Sequence, residues 1–480
     1  MFEPAIAPSA SLLGLLQRGR GDGTLHALAA ERSDALAALE ECVTRDPRRD
    51  WQVENRSLYY ARLFMELEAP LSGLEAHLFD AWDELDGGES RTGLTLAVLG
   101  RLVGYGRRDA LQLLRRYAAQ GSNWAWALDE LAVRDSDEGL RALGHAVLAR
   151  FPEGPEGDAE LRAAVRDAYE PRPWHLWAAD HPRVAAATER APFELWQRQM
   201  SRPETPEWST EAVLAWADTE SEPTPGADVL AERPEGRATL RRAAAAARLL
   251  AAVAVPADRP VLRLAARTGL AGARCAALRH LAEADDPELP GLMELAADDL
   301  SEAVVDFALD TLGRMRGENI LVHARAWAAR TDGSRLTDAA ARLLACAGKP
   351  EDAPLVVAAL HREVSRSGPD GDALFALVDG VGRLEAAQAV SVLRHIYGET
   401  VCSQLRLGAA RGLAVIDPYF ATGAAVECLW DCEEATRELA ARSVRTSGNV
   451  RVLDRLRRLA ADPGEEADVH AAVRGRLSSG

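Results

Sequence analysis

The stretch "GARCAALRHLAEADDPE" (272–288) decides the fold. Its alternation of small and aliphatic residues at spacings of three and four is helical. Ala277 sits at the middle of the run and Leu281 one turn later, and an acidic turn with Pro287 follows. A small residue in mid-helix lets a neighbouring helix approach, and the leucine fills the groove beside it. In the turn, an Asp is expected to cap the next helix and Pro287 to suit its first turn, with the acids opposing the positive end of the helix dipole.

Working outward, the same pairing recurs at Ala246/Leu250, Ala308/Leu312, Ala340/Leu344, Ala409/Leu413 and Ala440/Val444, with a weaker match at Ala376/Gly380. Successive small positions are separated by 31, 31, 32, 36, 33 and 31 residues. A period of this length holds two helices of three to four turns with their connections, repeated along the chain. Between the aligned helices lie others with one apolar face, such as "LPGLMELAA", "ILVHARAWAAR" and "APLVVAALHREV". The expected fold class is all-α, an α-solenoid of helical hairpin repeats, seven of them in the C-terminal half. The unit around "DALFALVDGVGRLE" carries Gly380 and Gly382, and a kink or loose packing is expected there.

"EAVVDFALDTLGRM", "SRLTDAAARLLACAG", "SQLRLGAARGLAVIDP" and "EATRELAARSVRTSG" resemble HEAT repeats, especially the short Ala-rich kind related to phycobilin lyases. The resemblance spans roughly 237–462. It implies stacked helical pairs with a long binding face, and it says little about chemistry.

Three regions are expected. Residues 1–151 read as irregular helical repeats, with Pro70 and a glycine-marked turn at Gly104 and Gly106 separating helices. Residues 152–236 read as an acidic, Trp- and Pro-rich central segment ending in a linker. Residues 237–480 read as the regular array. The central stretch 151–235 holds five of eleven tryptophans (Trp174, Trp177, Trp196, Trp208, Trp216) and 18 acidic against 8 basic residues.

Composition narrows the function. The 480-residue chain is 48% hydrophobic, enough for a core. Its net charge of −18 argues against a general polyanion binder or a protein lying on anionic lipid. Lys349 is the only lysine among 56 Lys and Arg residues, which fits the codon bias of a GC-rich, bacterial genome. The six scattered cysteines suit reduced thiols in a cytoplasm. The N-terminus lacks the basic region of a secretory signal, and no run of 18 apolar residues suggests a membrane span. Charge is also blocked. Residues 236–279 hold nine Arg and one acid, residues 280–310 ten acids and no Lys or Arg, and residues 437–458 seven Arg and two acids. Such blocks are ordinary solvated faces, or they dock something acidic: a partner, a nucleic-acid backbone or the acidic central segment.

Motifs for chemistry are weak. Cys428 and Cys432, with Cys402 and His395 nearby, have the wrong spacing for a structural zinc site and read as buried small hydrophobes. "WHLWAADH" places His175 and His181 six residues apart, off a common helix face, so with Asp180 it reads as a turn beside core tryptophans. The Asp pairs in "ADDPE" and "ADDLSE" are explained by turns rather than by Mg²⁺. No nucleophile elbow, phosphate loop or dinucleotide fingerprint is present. No catalytic residue, metal or cofactor is therefore expected.

The sequence favours a cytoplasmic, non-catalytic scaffold that grips another protein or peptide on its concave face. Arg274, Arg411, Arg437 and Arg442 are expected to face that partner, with Trp174, Trp177 and Trp196 as anchors; surface arginines and core tryptophans are the plainer reading of the same residues. Two other classes stay open. One is a HEAT-like DNA binder or alkylpurine DNA glycosylase, suggested by the Arg-rich block and the tryptophans. The other is a cofactor lyase or chaperone, implied by the phycobilin-lyase resemblance.

Overall fold

The computed structural model describes residues 6–45, 55–83, 89–188, 208–219 and 234–478. Among the described residues every regular element is a helix. None of these helices is long and apolar enough to cross a membrane. The chain divides into two compact units, one built from residues 1–197 and 396–480, the other from residues 198–395.

The second unit is a run of hairpins. Their first helices are Arg259–Thr268, Leu289–Ala297, Glu318–Ala328 and Ala353–Ser367. Their second helices are Ala271–Glu283, Glu302–Arg314, Arg335–Ala347 and Leu374–Arg383. Each second helix packs on its own first helix and on the second helix of the preceding hairpin; the row begins with Pro234–Val253. Ala246, Ala277, Ala308 and Ala340 are all buried, as are Leu250, Leu281, Leu312 and Leu344 one turn on. Each buried leucine contributes about 2 kcal/mol of transfer free energy. The acidic turn differs in detail from the sequence expectation. Glu288, not an Asp, precedes the Leu289–Ala297 helix, and Pro290, not Pro287, occupies its first turn. Asp286 instead accepts from the Glu288 backbone N–H at 3.0 Å and so shapes the turn.

The glycine-bearing unit also corrects its expectation. Leu374–Arg383 is a continuous helix and its packing is close: a Cβ on Gly380 would lie 2.4 Å from the Ala345 Cβ and 2.7 Å from its Cα. Ala376 is partly exposed. The deeply placed small residue is Gly380, with buried Leu384 four residues later.

In the first unit the N-terminal stretch forms the helices Arg56–Glu66, Ser72–Leu78, Glu89–Gly104, Arg108–Gln120 and Asp137–Leu148. The N-terminal helices are joined to residues 396–480. The Cys432 N–H donates to the Gly19 carbonyl at 2.9 Å. Gly21 permits that approach, because a Cβ there would sit 1.9 Å from the Glu427 carbonyl oxygen. Ion pairs Arg20–Glu427 (2.8 Å), Arg62–Asp462 (2.7 Å) and Arg458–Glu66 (2.8 Å) complete the join.

Candidate binding surface

Two offsets from the buried small residue separate the arginines of the second helices. Three positions before it stand Arg274 in the second unit, and Arg406 and Arg437 on the corresponding helices Ser403–Ile416 and Glu434–Ser443 of the first unit. These turn into the stack and meet an acid supplied from the next hairpin. Arg274 pairs with Asp299, Arg406 with Asp431 (2.8 Å), and Arg437 with Glu465 (2.7 Å). The Arg406 and Arg437 side chains are 0% and 1% exposed. Arg437 also donates to the carbonyls of Asp431 and Cys432 at 2.8 and 2.7 Å. The partner-facing reading is therefore corrected for Arg437, which is inaccessible, and for Arg274, whose charge is committed to Asp299. Both serve as ties between successive hairpins.

Two positions after the small residue stand Arg248, Arg279, Asp310, Arg342, Arg411 and Arg442. This offset is about 200° around the helix from the buried position, so these side chains lie on the outer side of their helices. Arg411 and Arg442, in the first unit, are exposed. Arg442 pairs along its own helix with Glu438 at 2.5 Å.

The tryptophan anchors are also corrected. Trp174 and Trp177 are 2% and 1% exposed, and their rings meet edge to face at 5.1 Å. Trp177 Nε1 donates to the Leu140 carbonyl at 2.8 Å, which satisfies its one polar group inside the core. Trp196 lies outside the described residues.

The charge blocks partly neutralise one another. Arg263 bridges Asp286 (2.9 Å) and Glu288 (2.5 Å), Arg267 meets Glu288 (2.7 Å), and Arg279 meets Glu283 (3.1 Å). Block 236–279 thus spends part of its charge on block 280–310, across adjacent hairpins at Arg263 and Arg267 and along one helix at Arg279. The hydrogen bond to Asp286 raises the Arg263 pKa.

What stays open is a pocket of about 610 Å³ across three successive second helices of the second unit. Asp306, Leu309, Asp310, Gly313 and Arg314 line it from one helix, and Arg335, Asp338, Arg342 and Cys346 from the next. Arg366 and Ala376 complete it. Most charges here are paired: Arg314 with Asp310 (2.9 Å), Arg335 with Asp306, and Arg366 with Asp338 (2.6 Å). Hydrogen bonding to Asp338 raises the Arg366 pKa. Arg342 has no ion-pair partner among the described residues, although three acids line the same pocket. Cys346, one turn beyond it, is exposed, whereas Cys42, Cys275, Cys428 and Cys432 are buried.

The sequence reading missed Arg342 because it followed the density of arginine rather than the offset within the repeat. The offset that carries Arg411 and Arg442 carries Arg342 as well.

The cysteine and histidine clusters weighed in the sequence are spread out. Cys428 Sγ lies 3.2 Å from the Tyr397 hydroxyl, and Cys432 Sγ accepts from Arg406 at 3.4 Å. Among the described residues no three His, Cys, Asp or Glu side chains gather as a metal site would require. No known family model matches the chain, and no curated protein is significantly similar to it.

Proposed function

We propose that the chain is a non-catalytic, cytoplasmic scaffold of HEAT-like helical repeats, and that the second-helix face of residues 234–383 is where it grips another protein. The observation that carries this reading is the open pocket shared by Glu302–Arg314, Arg335–Ala347 and Leu374–Arg383. It is a surface that no single hairpin makes, and it holds the uncommitted guanidinium of Arg342. Arrays of stacked hairpins offer such extended faces because each unit touches only its neighbours. Mixed, mostly paired charge supports a protein partner over a nucleic acid, whose backbone calls for a row of free cations.

The test is affinity capture from the native host with the wild-type protein and with Arg342→Glu. A stoichiometric protein held by the wild type and lost by the variant supports the reading. Capture that is indifferent to Arg342→Glu overturns it for this face.

A further inference from the structure

Along the second unit the outward offset reads Arg248, Arg279, Asp310, Arg342 on four consecutive packed helices. Arg279 and Asp310 are each engaged one turn along their own helix, by Glu283 and Arg314. Arg248 is exposed and Arg342 half-buried, and neither has an ion-pair partner among the described residues. The free charges therefore stand at the two ends of the row.

Packed helices lie about 9 Å apart. An extended chain rises about 3.3 Å per residue. A strand crossing the helices thus advances about three residues for each helix it passes.

The geometry points to an extended, acidic peptide segment as the occupant of this face, lying across the helices with a carboxylate at Arg248, at Arg279 and at Arg342, about three residues per helix. This inference rests on the scaffold reading above and names the chemistry of the partner. Asp310 adds a sign: the residue passing it is basic or neutral. The complementary segment therefore reads acid, acid, base, acid at every third position. The two outer acids, about nine residues apart, meet guanidiniums that no local carboxylate has claimed. Guanidinium forks suit carboxylates in paired hydrogen bonds, which gives the row preference as well as charge. Opposite-charge pairs placed in this way fix register along the face.

The test uses the full-length protein and fluorescence anisotropy of labelled synthetic peptides. The probe is Glu-Gly-Ser-Glu-Gly-Ser-Lys-Gly-Ser-Glu, with its reversed order to cover both chain directions. The control has the same ten residues with the three glutamates consecutive. One of the two spaced peptides is expected to bind at least tenfold more tightly than the control. Arg248→Glu and Arg342→Glu are each expected to weaken it at least fivefold, with circular dichroism melts showing that both variants fold. Arg474→Glu, an exposed arginine on the Ala467–Ser478 helix of the other unit, is expected to leave it unchanged. Equal binding of spaced and clustered peptides overturns the inference, as does indifference to both charge reversals. Tighter binding of a 20-nucleotide DNA duplex than of either peptide also overturns it. If the native partner is captured through Arg342 while the peptides fail to discriminate, the acidic-segment inference falls and the scaffold reading stands.

Discussion

Arg437 and Glu465 are joined by two hydrogen bonds inside the first unit, from Nη2 at 2.7 Å and from Nε at 2.9 Å. The pair ties one hairpin to the next. Arg62, from the N-terminal helices, reaches the same carboxylate at 2.9 Å. One acid therefore holds two stretches of chain that are far apart in sequence. Removing the charge by Glu465→Gln leaves buried guanidiniums short of their counter-ion, a loss of about 3–5 kcal/mol. In a unit of this size the melting temperature is expected to fall by about 2–4 °C for each kcal/mol lost. Calorimetry measures it, and a shift below about 3 °C would falsify the tie.

The same carboxylate sets an acid dependence. Burial alone would raise the Glu465 pKa, but Arg437 and Arg62 overcome it and hold the group down at about 2, against 4.5 for the free side chain. A carboxylate with a depressed native pKa binds fewer protons in the folded state. Its contribution is fully present above pH 4.5 and is lost as pH falls from there toward 2. The size is on the order of 3 kcal/mol. Burial raises the pKa of Glu427 and Glu433 in the same unit, which gives the opposite slope. The stability gap between wild type and Glu465→Gln isolates the one group. It is expected to be constant from pH 7 to 5 and to close toward pH 2. A gap that stays constant to pH 2.5 contradicts the assignment.

Much of the fold is legible in the sequence because it is periodic. Ala277, Ala308 and Ala340 repeat at near-constant spacing, and each occupies the buried mid-helix site that close packing needs. What is not legible depends on angle or on distance along the chain. Arg274 and Arg411 look alike in composition, yet five positions of offset put one into the stack and the other into solvent. Nothing periodic connects Tyr105 with Asp462, whose hydroxyl and carboxylate lie 2.9 Å apart. Nor does it foretell that residues 396–480 join residues 1–197 in one unit. The pocket escaped for a related reason: its residues become neighbours only when three hairpins stack.

Gly380 offers a test of that stacking. A methyl group there meets Ala345, including its backbone, so the two helices must separate. Overpacking of this kind costs about 1–3 kcal/mol, against roughly 1 kcal/mol gained when alanine replaces glycine within a helix. Gly380→Ala is expected to be neutral to mildly destabilising and Gly380→Val clearly destabilising, with the loss confined to the melting of residues 198–395. Equal melting temperatures for the wild type and the valine variant would mean that the close approach is absent.

Cys346 reports on the pocket itself. Its thiol is exposed beside Arg342, whereas burial raises the pKa of Cys275 to about 12 and also raises that of Cys428. Alkylation needs a thiolate and access, so the native protein is expected to be modified first at Cys346. Cys402, partly exposed, should follow more slowly, and the buried thiols should react only on unfolding. Peptide mapping after brief maleimide treatment reads the order directly. Because Cys346 and Arg342 line one pocket, a bulky label at the thiol is also expected to weaken partner capture as strongly as Arg342→Glu does. A label of methyl size at the same thiol changes no charge and fills little of the pocket, and is expected to leave capture intact. If bulky and small labels act alike, the pocket is not where the partner sits.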